Sequence, residues 1–124
     1  GRLVVDHMGR PDVTQGVDGP GFQRFLRFMQ AHHNVWVKVS CPERTTVAGP
    51  PYDDIVPFAA RLVAEFPCRG LWGTDWPHPN MVSHMPDDGE LTDMIPRIAP
   101  TPSLQRALLV YNPMRLYWPE EMQP

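Results

Sequence analysis

Three short apolar runs divide the chain. Leu3-Val4-Val5 leads into Asp6-His7, Val35-Trp36-Val37-Lys38-Val39 leads into Ser40, and Gly70-Leu71-Trp72 leads into Gly73-Thr74-Asp75. Runs of this length, rich in β-branched residues and closed by Gly, Pro or polar residues, predict buried strands. The stretches between them change period. Phe22, Phe25, Leu26 and Met29 fall at i, i+3, i+4 and i+7, which predicts an amphipathic helix ended by His32 and His33. Arg24 and Arg27 belong to its wet side. A second helix is predicted from Tyr52 to Phe66, with Ile55, Val56, Ala59, Leu62, Val63 and Phe66 on one face. Asp53 and Asp54 are placed in its first turn, where the dipole favours them. Pro57 is tolerated near that N-terminus and Pro67 stops the helix.

Beyond a polar loop, Leu91, Met94, Ile95 and Ile98 predict a further helix, bent or broken at Pro96. Thr101 as N-cap and Pro102 at the first position open another, with Leu104, Leu108 and Leu109 apolar. Asn112-Pro113 starts a terminal turn whose Met114, Leu116, Tyr117 and Trp118 are expected to pack on the outside of the sheet or on a neighbouring helix. Strand, helix, strand, helix, strand, helices is the order of an α/β fold, with parallel strands joined by right-handed crossovers.

Composition narrows the class. With 124 residues and 42% of them hydrophobic, the chain is one globular domain or part of one. The 16 prolines lie between the apolar runs and so read as shaped loops rather than disorder. A net charge of −3 leaves no electrostatic footprint for nucleic acid or an anionic membrane. No apolar run approaches the roughly 20 residues of a membrane span. Cys41 and Cys68 make no disulfide framework and lack metal-site spacing, so a cytoplasmic location is expected. Adjacent His32 and His33 are a poor arrangement for a metal.

Each run delivers a chemical group just past its end: His7 after the first, Arg44 after the second and Asp75 after the third. In α/β barrels and open α/β sheets, sites are built at that end of the strands. Each residue has a plainer reading. Asp75 can cap amides of the Pro-rich turn, Arg44 can pair with Glu43 or a nearby loop, and Lys38 can be paired or snorkelling rather than catalytic. His78 is near enough to Asp75 in sequence to assist it or to serve the turn alone.

Three stretches carry a resemblance. Val4-Val5-Asp6-His7-Met8-Gly9-Arg10-Pro11, Val37-Lys38-Val39-Ser40-Cys41-Pro42-Glu43-Arg44 and Trp72-Gly73-Thr74-Asp75-Trp76-Pro77-His78-Pro79-Asn80 resemble the 2-pyrone-4,6-dicarboxylate hydrolase family of the amidohydrolase superfamily. The third is shared among many amidohydrolases, and the first two are the sharper match. The resemblance implies the C-terminal half of a (β/α)8 TIM barrel, three parallel strands with flanking helices. On this reading residues 1–124 are part of a single barrel domain whose N-terminal half is missing, and alone they are inactive.

It also implies a lactonase that opens a cyclic ester bearing two carboxylates, in the degradation of lignin-derived aromatic compounds. Asp75 matches the general base that activates water, and His7 the histidine that polarises the lactone carbonyl. Arg44 matches an arginine that holds a substrate carboxylate, for which a planar fork is the best donor. His7 and His78 are expected to contribute to substrate binding. The family works without metal or other cofactor, so none is expected. Related amidohydrolases instead bind zinc through a His-x-His pair plus residues placed like His7 and Asp75. The alternatives are a zinc-dependent hydrolase of another lactone or amide, and a non-catalytic piece of a barrel. A half-barrel is further expected to expose an apolar inner face and to aggregate, dimerise or bind hydrophobic dye.

Overall fold

In the computed structural model the structure describes residues 1–74 and 87–122, the last two through their backbone only. Three strands form one parallel sheet in the order β1 (Leu3–Val5), β2 (Val35–Lys38), β3 (Gly70–Leu71). Leu3 stands opposite Val35 and Val5 opposite Val37, while Val37 faces Gly70 and Lys38 faces Leu71. β1 fills its apolar run, whereas β2 and β3 each stop one residue short of theirs. The pairing nevertheless persists one step further, where the Val39 amide donates to the Leu71 carbonyl at 2.8 Å.

Helices α1 (Pro20–Ala31) and α3 (Val56–Glu65) carry the chain back between strands, as the 3.6-residue spacing predicts. Phe22, Leu26 and Met29 of α1 and Phe58, Ala59, Leu62 and Val63 of α3 are buried against Val35, Val37 and Val39. The Phe22 and Phe58 rings meet edge to face at 5.0 Å. Arg24 and Arg27 stay exposed. A further tie comes from Arg69, whose guanidinium donates to the carbonyls of Met29, His32 and Val35 and lies over the Phe66 ring.

The second helix begins four residues later than expected. Tyr52 has φ 68 and opens a turn, so Asp53 and Asp54 precede the helix rather than filling its first turn. Their charges are used otherwise. Asp53 pairs with Arg97 at 2.5 Å, and Asp54 accepts from the Thr46 hydroxyl at 2.6 Å and from the amides of Val47 and Ala48. Burial works to raise the Asp54 pKa, but these hydrogen bonds outweigh it and hold the group below the ordinary carboxylate range.

The C-terminal third is broken as its prolines require. α4 (Asp88–Thr92) and α5 (Ile95–Ile98) are separate, with Pro96 in the first turn of α5. Thr101 caps α6 (Pro102–Arg106) by accepting from the Leu104 amide, and a π-helical turn (Ala107–Tyr111) carries it into α7 (Asn112–Tyr117). α7 packs on the neighbouring helical turn, one of the two places expected, and reaches the start of β3. Asn112 donates to the carbonyls of Pro67 and Gly70, Arg115 donates to that of Cys68, and Arg2 donates to those of Arg115 and Leu116.

This placement alters two expectations. Arg115 lies over the Trp36 ring, and both Trp36 and Leu71, on the face turned away from α1 and α3, are buried. Among the described residues the inner face therefore does not stand open and apolar. Exposed large apolar groups are found at Leu3, Phe28 and Val47, along Leu109, Val110 and Tyr111, and at Tyr117 and Trp118, the last two expected to be packed.

Candidate active site

The loop leaving β1 is shaped by four consecutive residues with positive φ: His7 (54°), Met8 (59°), Gly9 (70°) and Arg10 (52°). Three of them have a Cβ, for which the left-handed region is unfavourable, so surrounding contacts must hold the turn. Met8 supplies the anchor, since its side chain is 1% exposed. Gly9 is required by close approach, because a Cβ there would meet the Phe25 ring at 3.2 Å. The result is that His7 and Arg10 face the same side, two and five residues past the strand.

The loop leaving β2 solves the same problem with a short helix. Cys41 turns the chain at φ 60, and Pro42 opens α2 (Pro42–Thr45), which carries Arg44 in its last turn. The buried Cys41 thiol donates to the Glu43 carboxylate at 3.3 Å. The Asp54 hydrogen bonds hold the following residues, Thr46 to Ala48, against the start of the next helix.

The two loops converge. His7, Arg10, Asp12, Arg44 and Thr45 line one cleft of about 250 Å³, with Pro11, Val13 and Val47. His7 also borders a second hollow of about 170 Å³ on the inner face, with Asp6, Lys38, Ser40, Trp72 and Gly73. Within it Lys38 pairs with Asp6 at 3.3 Å, which settles its role among the described residues as a partnered charge. The imidazole of His7 lies at the shared wall, its Nδ1 2.9 Å from the Ser40 hydroxyl.

Two of the expected site residues, His7 and Arg44, are thus brought together from 37 positions apart in sequence. Asp75 and His78 lie outside the described residues. Arg10 and Ser40 carry no role in the sequence reading, although both stand inside the quoted motifs. The signal for Arg10 was its place three residues after His7; only the left-handed run shows that this spacing aims both at one cleft.

Chemically, two guanidinium groups and an imidazole beside one carboxylate favour an anionic ligand, with the planar forks suited to a carboxylate or sulfonate. Among the described residues no three His, Cys, Asp or Glu side chains are grouped as a metal site. To a zinc ion of the amidohydrolase kind the described residues would offer His7.

Known proteins resemble this chain closely. It is 66% identical over 128 residues to a 2-pyrone-4,6-dicarboxylate hydrolase of Comamonas testosteroni, which covers 97% of the chain and 42% of that protein. It is 42% identical to a 4-sulfomuconolactone hydrolase of Hydrogenophaga intermedia, covering 92% of the chain and 38% of that protein. The chain therefore spans about two fifths of the length of the curated relatives it matches. In three dimensions it overlays a crystal structure from Agrobacterium tumefaciens with a TM-score of 0.80 at 30% identity, covering 94% of the chain and 42% of the other. The three parallel strands and their helices are those of a (β/α)8 barrel, its site at the C-terminal ends of the strands. A family profile described as Amidohydrolase matches residues 2–118, and with the curated relatives it makes this chain a member of the amidohydrolase family.

Proposed function

We propose that this chain supplies the C-terminal half of the barrel of a lactonase that hydrolyses 2-pyrone-4,6-dicarboxylate, giving 4-oxalomesaconate or its tautomer 4-carboxy-2-hydroxymuconate. The observation that carries this reading is the convergence of His7 and Arg44, with Arg10 beside them, on one cleft beyond the strand ends. Arg44 holds a carboxylate of the ring, with Arg10 adding positive charge at the same wall. His7 donates toward the lactone carbonyl oxygen, where negative charge develops as water attacks. Asp75 takes the proton of that water and passes it to the ring oxygen as the C–O bond breaks. His78 assists binding next to Asp75.

The remaining strands of the barrel complete the substrate pocket, so activity belongs to the complete enzyme and not to residues 1–124 alone. The reading follows the pyrone dicarboxylate hydrolases in using no metal. It places the enzyme in the cytoplasm, in the breakdown of lignin-derived aromatic acids.

Asp75→Asn in the complete enzyme tests the chemistry. The amide has nearly the same shape but cannot take a proton, so kcat should fall by about 10²–10⁴-fold while substrate affinity changes little. Near-normal turnover by this variant would remove Asp75 from the role of base. Metal analysis of the same preparation, with turnover measured before and after chelation, separates this reading from a zinc-dependent one.

A further inference from the structure

The hydrogen bond between His7 Nδ1 and Ser40 Oγ has a direction that its surroundings decide. Ser40 is 2% exposed, and among the described residues the His7 ring is the sole partner of its hydroxyl. A hydroxyl offers one proton and two lone pairs, whereas a neutral imidazole offers one N–H and one lone pair.

If Nδ1–H donated to Oγ, the buried serine proton would be left with no acceptor among the described residues. If the hydroxyl donates to Nδ1, only oxygen lone pairs go unused. An orphaned buried donor is the costlier and rarer state. The second arrangement therefore prevails, and it leaves the proton of the neutral ring on Nε2.

We infer that Ser40 donates its hydroxyl proton to His7 Nδ1 and so holds the imidazole as its Nε2–H tautomer, a hydrogen-bond donor toward the cleft. Ser40 is then a positioning residue: almost fully buried, it acts through His7. The inference rests on the role given to His7 above, because only a protonated Nε2 can donate to a carbonyl oxygen. A metal-bound imidazole is wired the opposite way, with its free nitrogen donating to a carboxylate, carbonyl or water. A serine in this place suits a donor histidine better than a metal ligand. The placement is also economical in sequence: β2 ends at Lys38, and Ser40, two residues on, points to the same face of the sheet as Lys38 and Trp36.

The test is the ring-nitrogen NMR spectrum of His7 in the ¹⁵N-labelled complete enzyme, assigned by its loss in His7→Gln and recorded where the ring is neutral. The expected pattern is a protonated Nε2 and an unprotonated Nδ1. Ser40→Thr keeps a hydroxyl and should keep both the pattern and most of kcat. Ser40→Ala should give a mixture of tautomers and lower kcat about 10–100-fold, as removal of an outer-shell partner does at comparable sites, with KM changed far less. A protonated Nδ1 in the wild type would overturn the inference, and that spectrum decides it even if Ser40→Ala folds poorly. The inferred wild-type tautomer, lost in Ser40→Ala with no fall in kcat, would leave the wiring intact. It would overturn instead the role of His7 as electrophile.

Discussion

β2 presents two faces, and their difference organises the molecule. Val35 and Val37, and Val39 just beyond them, point toward α1 and α3 and are at most 2% exposed. Trp36, Lys38 and Ser40 point the other way, where Trp36 lies beneath Arg115, Lys38 pairs with Asp6, and Ser40 holds His7. One face is uniform and dry, and its chemistry is interchangeable within the limits of volume. The other is heterogeneous, each side chain meeting a different partner. A strand can serve both because successive side chains alternate, so the core constrains only every second residue. The helix-facing side supplies rigidity, and the inner side is left to carry charge and hydrogen bonds at fixed positions.

The comparison can be broken most severely from the helix-facing side. Leu62 is fully buried in α3 against these valines, so Leu62→Ala should cost about 2–5 kcal/mol of stability, read from urea unfolding of the complete enzyme. Turnover per folded molecule should change little, since no site residue is touched. A cost below about 1 kcal/mol would mean that the site does not depend on this core for its rigidity.

Arg44→Met probes the opposite case, a residue whose effect is on binding rather than folding. Removing one side of a charge-assisted contact should lower kcat/KM by the equivalent of about 2–4 kcal/mol, and Arg44→Lys should recover only part because it lacks the fork. Against a substrate analogue without the carboxylate, the variants and wild type should behave alike. Equal losses on both substrates would show that Arg44 serves the fold.

The smallest effect is expected at Lys38. Its pairing with Asp6 is partly exposed, and such pairs contribute about 0–1 kcal/mol. Lys38→Met should therefore leave the unfolding midpoint nearly unchanged, although the hollow it lines is altered. A destabilisation above about 2 kcal/mol would show that the inner face also holds the sheet together.

The sequence made some of this legible and concealed the rest for identifiable reasons. Phe22, Leu26 and Met29 announce α1 because burial of one helix face imposes its period on the chain. Thr101 and Pro102 announce the start of α6 because an N-cap is a local device. α3 starts later than its sequence suggests because Asp53 and Asp54, which look like dipole partners, are bound to Arg97 and to the Thr46–Ala48 loop. Those partners are distant or outside any periodic pattern. Tyr117 and Trp118 suggest packing on the exterior or on a neighbouring helix, and α7 does lie against the preceding helical turn. Asn112 and Arg115, however, fix it through carbonyls at the start of β3, and the two aromatic rings stay half exposed.

What the chain determines by itself is whatever depends on neighbours a few residues away: the alternation of β2, the amphipathic faces of α1 and α3, the caps, and the placement of His7 and Arg44 just past strand ends. What only the tertiary structure decides is which of those ends meet. Arg10 joins His7 and Arg44 in one cleft because four left-handed residues, pinned by buried Met8 and by Gly9 against Phe25, turn the loop back on itself. Ser40 meets His7 because parallel pairing sets β1 beside β2 in one register. Backbone conformations at positive φ and contacts across 33 residues leave no periodic trace in the sequence, since the interactions that compensate them are supplied from other elements.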